Sequence, residues 1–236
     1  MTTNFDPKTQ THYESEYVEH GINSQRRYPN EGLITELAAN FFRLSPAERA
    51  QTKVLELGCG SGANLWMVAR EGFDAHGIDF ADSGLKCCHE ALTSWGVEAK
   101  LQKADMLDLP YDDEAFDFVY DVVSMQCLNY EQHAKAYREV ARILKPGGRF
   151  YSYTLGDQSV SQQVSTEFVD HATVKNVPTG YPLANNGTLC FLSANEGRKL
   201  MTEGGLSVDT IESNTRTYAN RSMSIHYLLL SASKPL

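Results

Sequence analysis

Between residues 53 and 150, short apolar runs alternate with stretches whose apolar residues recur at helical spacing. Lys53–Leu57 (KVLEL) reads as a β-strand ending in the glycine-rich turn Gly58-Cys59-Gly60-Ser61-Gly62, and residues 63–71 read as a helix. Residues 73–79 form a second strand, after which Asp82 or Ser83 offers an N-cap for a helix running to about Trp95. Residues 97–103 and 116–123 are the third and fourth strands. Tyr137, Val140, Ala141 and Leu144 fall at i, i+3, i+4 and i+7, on one helical face. Lys145-Pro146-Gly147-Gly148 ends that helix, and residues 149–155 form a fifth strand.

Strands separated by helices of this length imply βαβ units and a parallel sheet covered on both faces. Before this core, residues 29–44 carry an amphipathic helix pattern through Leu33, Leu37, Ala38 and Phe41, preceded by a polar arm bearing Tyr13, Tyr17, Arg26, Arg27 and Tyr28. Beyond it, residues 156–189 are rich in Ser, Gln, Thr and Asn and too long for an ordinary connection, so they read as a lid or a disordered insertion. Residues 193–202 then look helical, and residues 206–211 and 224–232 look like two more strands. The expected architecture is α/β and doubly wound: a mostly parallel seven-stranded sheet with helices on both faces and an antiparallel C-terminal strand. One domain spans 1–236, with a helical arm or cap over 1–45, a core over 52–155, a lid over 156–190 and a C-terminal helix and strand hairpin over 191–236.

Composition narrows the function classes. The formal charge of −9 disfavours nucleic-acid partners, whose binding draws on Lys and Arg neutralising phosphates, and disfavours an anionic membrane surface. No apolar run approaches the length a bilayer demands, and the amino terminus has neither a basic n-region nor an apolar h-region, so cytoplasmic residence is expected. The five cysteines, Cys59, Cys87, Cys88, Cys127 and Cys190, show no paired spacing and indicate neither zinc nor disulfides. The acidic run Asp112-Asp113-Glu114 reads as a solvated loop rather than a metal site.

The glycine turn between strand and helix lets backbone approach a ligand closely, and by itself it leaves two readings open. Gly58, Gly60 and Ala63 satisfy the dinucleotide pattern, and Asp79 stands 21 residues beyond Gly58, where a ribose-binding acid is expected. A nicotinamide- or flavin-dependent oxidoreductase is therefore one reading. Glu56, two residues before the first glycine, argues for the other, because a carboxylate would repel a pyrophosphate at short range.

Val54-Leu55-Glu56-Leu57-Gly58-Cys59-Gly60-Ser61-Gly62 resembles motif I of the class I, Rossmann-like S-adenosylmethionine-dependent methyltransferases of the small-molecule type. Four further blocks are similar to that family in order: Gly77-Ile78-Asp79-Phe80, Ala104-Asp105-Met106, Phe116-Asp117-Phe118-Val119, and Arg142-Ile143-Leu144-Lys145-Pro146-Gly147-Gly148. The resemblance implies methyl transfer from S-adenosylmethionine to a small-molecule acceptor at oxygen or nitrogen, leaving S-adenosylhomocysteine, with a non-catalytic S-adenosylmethionine-binding protein as a rival. It also implies roles. Glu56, Gly58, Cys59 and Gly60 would hold the methionine portion, and Asp79 would accept the ribose hydroxyls. Phe80, Ala104, Asp105 and Met106 would surround the adenine. Asp121 and Val122 would face the amino group or sulfonium, with Gln126 just beyond, pointing toward the substrate. From the arm, Tyr17 and Arg27 would cover the cofactor, with Arg26 as the alternative to Arg27.

No residue stands in a recognisable catalytic motif. His171, Tyr181, His133 and His20 are conceivable general bases, the first two because they lie in the expected lid. Exposed tyrosines in the arm would allow a homodimer contact.

Overall fold

The computed structural model describes residues 6–236; residues 1–5 of the expected arm lie outside the described residues. The arm is helical, with α1 at Pro7–His20 followed by a short 3₁₀ turn, and then α2 at Glu31–Asn40 and α3 at Pro46–Arg49. The core runs β1 (Lys53–Leu57), α4 (Leu65–Arg70), β2 (Asp74–Asp79), α5 (Asp82–Trp95), β3 (Lys100–Lys103), β4 (Phe116–Val122), α6 (Tyr130–Ile143) and β5 (Leu144–Leu155). After it come α7 (Val160–Gln163), β6 (Thr173–Val174), β7 (Leu189–Cys190), α8 (Ala194–Glu203), β8 (Ser207–Tyr218) and β9 (Met223–Ser233).

Seven strands form one sheet in the order β3-β2-β1-β4-β5-β9-β8. β1 to β5 pair in parallel, and β9 runs antiparallel to both β5 and β8, so it alone is reversed. Strand order reverses between β1 and β4, and the crevice beyond their carboxyl ends is where such sheets take ligands.

The central strands are buried on both faces, as parallel strands covered by helices must be. Phe118 and Tyr120 of β4 pack with Leu33, Leu37 and Phe41 of the α2 region and with Leu65 and Val68 of α4, while Val119 packs with Tyr137, Val140 and Ile143 of α6. Each such side chain contributes about 1.5–3 kcal/mol on burial. The caps explain where two helices begin: Asn129 and Gln132 at α6, and Ser193 and Glu196 at α8, form reciprocal capping boxes. α5 begins at Asp82 with Ala81 at its cap position and no side-chain cap, because Asp79 takes the Ala81 N–H instead.

Residues 156–190 fold over the sheet end rather than away from it. They contain α7 and the β6–β7 pair, and Ser161 Oγ donates to Pro182 O. Thr188 fastens this segment to the arm: its Oγ1 donates to Asp6 Oδ2 at 2.8 Å, and its N–H donates to Thr9 Oγ1 at 3.2 Å. The C-terminal hairpin is longer than its apolar pattern suggested. β8 extends to Tyr218 because its exposed, polar half is held by ladder bonds to β9 rather than by burial. Among the described residues no helix is long and apolar enough to cross a membrane.

Candidate functional site

A cavity of about 1100 Å³, including its open mouth, lies beyond the carboxyl ends of β1, β2 and β4. Its floor is the glycine turn. Gly58 and Gly60 adopt positive φ, +66° and +49°, which suits glycine. A Cβ on Gly58 would enter the Ser124 side chain, and one on Gly60 would stand 2.6 Å from both the Tyr17 hydroxyl and Gln25 Oε1. The turn is therefore a cradle that only bare backbone fills.

Glu56 points from β1 into the wall beside this cradle and is almost fully buried. Asn64 Nδ2 donates to its Oε1 at 2.6 Å, and the Tyr120 hydroxyl donates to its Oε2 at 3.0 Å. Burial pushes its carboxyl up to about 8, against the pull of Asn64, Tyr120 and Arg26. Asn64 is itself anchored, its Oδ1 accepting from Arg26 Nη2 at 3.2 Å and from the Asn30 N–H at 3.0 Å. Asp79 ends β2, with its two oxygens accepting from the N–H groups of Gly60 (2.8 Å) and Ala81 (2.9 Å). Burial raises it to about 6, partly opposed by these amide bonds.

Opposite the cradle, Ile78, Phe80, Ala104 and Met106 make an apolar slot. The roof comes from α1 and the segment 156–190: Tyr13 and Tyr17 from one, Leu183 and Asn186 from the other, with Tyr227 of β9 closing the side. Tyr13 and Tyr17 both line the cavity, while Tyr28 is 62% exposed and lies edge-on to Trp66 and Trp95.

Ten of the fourteen expected cofactor residues line this cavity: Glu56, Gly58, Cys59, Asp79 and Phe80, with Ala104, Met106, Val122, Gln126 and Tyr17. The other four are placed as follows. Gly60 forms the turn under the cavity and donates its N–H to Asp79. Asp105 turns back to accept the Leu107 N–H, 2.9 Å away, bracing the bend after β3. Asp121 is fully buried, its Oδ1 accepting the N–H groups of Ser124 and Met125 and its Oδ2 accepting from Ser152 Oγ at 2.9 Å. It caps the turn after β4, where Val123 takes a φ of 56°. Arg27 lies against Trp66, whose Nε1 donates to its carbonyl, and Arg26 is the arginine that reaches the cavity.

None of the four candidate bases lines the cavity. His171 is exposed and pairs with Glu196 at 2.7 Å. Tyr181 packs on the apolar core. His133 is buried with Nδ1 3.0 Å from Asn129 O, and burial lowers it to about 4. His20 is exposed between Glu16 and Glu19.

The structure adds residues the sequence reading passed over: Tyr13, Gln25, Asn64, Ser124, Cys127, Leu183, Asn186 and Tyr227. Asn64 was within reach, since it follows the glycine turn at the cap position of α4. The others come from distant segments brought together by folding. Among the described residues no group of His, Cys, Asp and Glu could hold a metal ion.

Residues 54–148 match a family described as a methyltransferase domain. The matched stretch holds Glu56, the glycine turn and Asp79. It is 30% identical over 121 residues to methyltransferase GfsG of Streptomyces halstedii, covering 50% of this chain and 43% of that protein. It is 34% identical over 105 residues to demethylmenaquinone methyltransferase of Thermus thermophilus, covering 43% of this chain and 46% of that protein. The chain thus spans less than half the length of these curated relatives. Over a longer stretch, the domain and its flanks share their fold with a SAM-dependent methyltransferase of Methanosarcina mazei, at a TM-score of 0.68 and 19% identity, covering 78% of this chain and 92% of that one.

Proposed function

We propose that this chain transfers the methyl group of S-adenosylmethionine to a small-molecule acceptor, at oxygen or nitrogen. The observation that carries the proposal is the buried carboxyl of Glu56 beside the bare cradle of Gly58 and Gly60. A carboxylate there attracts an ammonium or sulfonium and repels a pyrophosphate, which favours this reading over a dinucleotide-dependent oxidoreductase.

The rest of the cavity fits the same ligand. Asp79 offers a carboxylate, acceptor-only when ionised, to the ribose hydroxyls. The slot of Phe80, Ala104 and Met106 suits the adenine, with Asp105 and Asp121 bracing the two loops from behind. Tyr17, Gln25 and Arg26 cover the methionine end. When bound, S-adenosylmethionine supplies a methyl already activated by its sulfonium.

What this chain's residues contribute is alignment and exclusion of water. α1 and the lid close over the cavity together, and the walls fix the two reactants in line. The new bond forms between the methyl carbon and the acceptor atom as the carbon–sulfur bond breaks, and the acceptor's proton passes to solvent. The acidic chain and the enclosed cavity favour a compact metabolite over a nucleic acid.

The test is a thermal-shift and calorimetric panel with S-adenosylhomocysteine, NAD and FAD. A ligand that binds only the folded state raises its melting temperature. Stabilisation by S-adenosylhomocysteine alone is expected; stabilisation by NAD without it would overturn the proposal.

A further inference from the structure

The turn after β4 leaves one polar atom without a use. Gln126 is 4% exposed and lines the cavity, and its side chain hydrogen-bonds that of Tyr13. Its carbonyl oxygen Oε1, also buried, has no hydrogen-bond partner among the described residues. Buried acceptors are almost always satisfied, so an unsatisfied one in a ligand cavity points to a donor on the ligand.

The surroundings say what kind of ligand. Tyr13, Cys127, Leu183 and Tyr227 line the same cavity as aromatic or apolar groups, beside the neutral polar Ser124 and Asn186. The Tyr13 hydroxyl lies 3.6 Å from the Cys127 sulfur. Burial drives the Tyr13 phenol well above its ordinary range and the Cys127 thiol up to about 12, so neither takes a proton at neutral pH. The two carboxyls that do line the cavity, Glu56 and Asp79, belong to the glycine cradle.

Resting on the methyltransferase reading, we infer that Gln126 selects the acceptor by receiving a hydrogen bond from its O–H or N–H through Oε1. The acceptor is then a neutral, donor-bearing compound with a flat or apolar body, such as a phenol or an aromatic amine. Gln126 is a positioning and specificity residue. It takes no proton, and the acceptor's own acidity or basicity has to make it nucleophilic. A carbanion acceptor would offer no donor at this point.

The experiment uses the full chain saturated with S-adenosylhomocysteine, with phenol and anisole as paired probes and indole and N-methylindole as a second pair. Each pair differs in one donor hydrogen, and affinities are read by ligand-observed NMR titration. A site built to bond a hydroxyl rejects the analogue lacking it, so the donor-bearing member of each pair is expected to bind about tenfold more tightly. Gln126→Leu should erase that preference without changing the affinity for S-adenosylhomocysteine, and Gln126→Glu should retain it at neutral pH. Equal affinities within the wild-type pairs, a preference that survives Gln126→Leu, or no probe binding to the loaded protein would each overturn the inference. A Gln126→Leu variant weakened toward S-adenosylhomocysteine would assign Oε1 to the cofactor and overturn it too. Failure of the wild-type chain to bind S-adenosylhomocysteine would instead sink the methyltransferase reading.

Discussion

Asn64 donates a 2.6 Å hydrogen bond to Glu56, and through its own carbonyl oxygen it collects Arg26 and the Asn30 N–H. One amide thus ties the acid of β1 to the arm that covers the cavity. Asn64→Leu leaves Glu56 without its shortest donor and unhooks Arg26. Losing a partner of a buried polar group costs about 1–3 kcal/mol, so affinity for S-adenosylhomocysteine should fall at least roughly tenfold by isothermal calorimetry. An unchanged dissociation constant would detach the arm from the site.

Ligand binding should release protons. Glu56 is pushed up to about 8 and Asp79 to about 6 in the ligand-free protein. A ligand ammonium beside Glu56, and ribose hydroxyls on Asp79, favour the ionised forms of both. Affinity for S-adenosylhomocysteine is therefore expected to rise with pH through about 6 and again toward about 8, then level off. Calorimetry in buffers of different ionisation enthalpy measures the protons released, and Glu56→Gln should remove the higher step.

The same two acids set a pH slope of stability. Their folded values lie above the unfolded ones, so between the ordinary carboxylate range and about 8 the folded chain holds protons that the unfolded chain has lost. Their contribution to stability is fully present below the unfolded values and is lost as pH rises through the folded ones. The melting temperature of Glu56→Gln should decline less between pH 5.5 and 8.5 than that of the wild type; parallel declines would show that Glu56 does not carry the slope.

Asp79→Ala strips the partners from the Gly60 and Ala81 N–H groups and removes the acceptor for the ribose. The thermal shift with S-adenosylhomocysteine should largely vanish while the ligand-free protein stays folded. A retained shift would move the ribose elsewhere.

Gly187 sits where the segment 156–190 meets the arm. Its φ is +76°, and a Cβ there would stand 2.6 Å from Thr9 Oγ1. Gly187→Ala adds about 1–2 kcal/mol of left-handed strain and pushes the two halves of the roof apart. Faster dissociation of S-adenosylhomocysteine in stopped-flow displacement is expected, and an unaltered rate would mean the halves move independently.

Much of the fold was legible in the sequence because its signals are local. The apolar runs 53–57, 73–79 and 116–123 and the glycine turn became β1, β2, β4 and the cradle, as periodicity and backbone freedom require. The place of Asp79 at the end of β2, beside the glycine turn, follows from the same strand run. Length was misjudged where ladder bonds replace burial, as in β8. Arg26 and Arg27 could not be told apart, since the direction of a side chain in an irregular arm depends on what packs beside it, here Asn64 for one and Trp66 for the other. The position of Asp121 at the end of β4 is local, whereas its partners Ser124, Met125 and Ser152 are set by how the turn after β4 packs on β5.

By itself the sequence determined the order of strands and helices, the bare glycine turn and the acids that flank it, because each follows from bonding and sterics within a few residues. Only the tertiary structure decided which side chains share the cavity. Tyr13, Asn186 and Tyr227 are separated by long stretches of chain, and what brings them to Gln126 is the packing of the arm, the lid and β9 over one end of the sheet. That packing is a balance of contacts between distant segments, and no local pattern of residues records it.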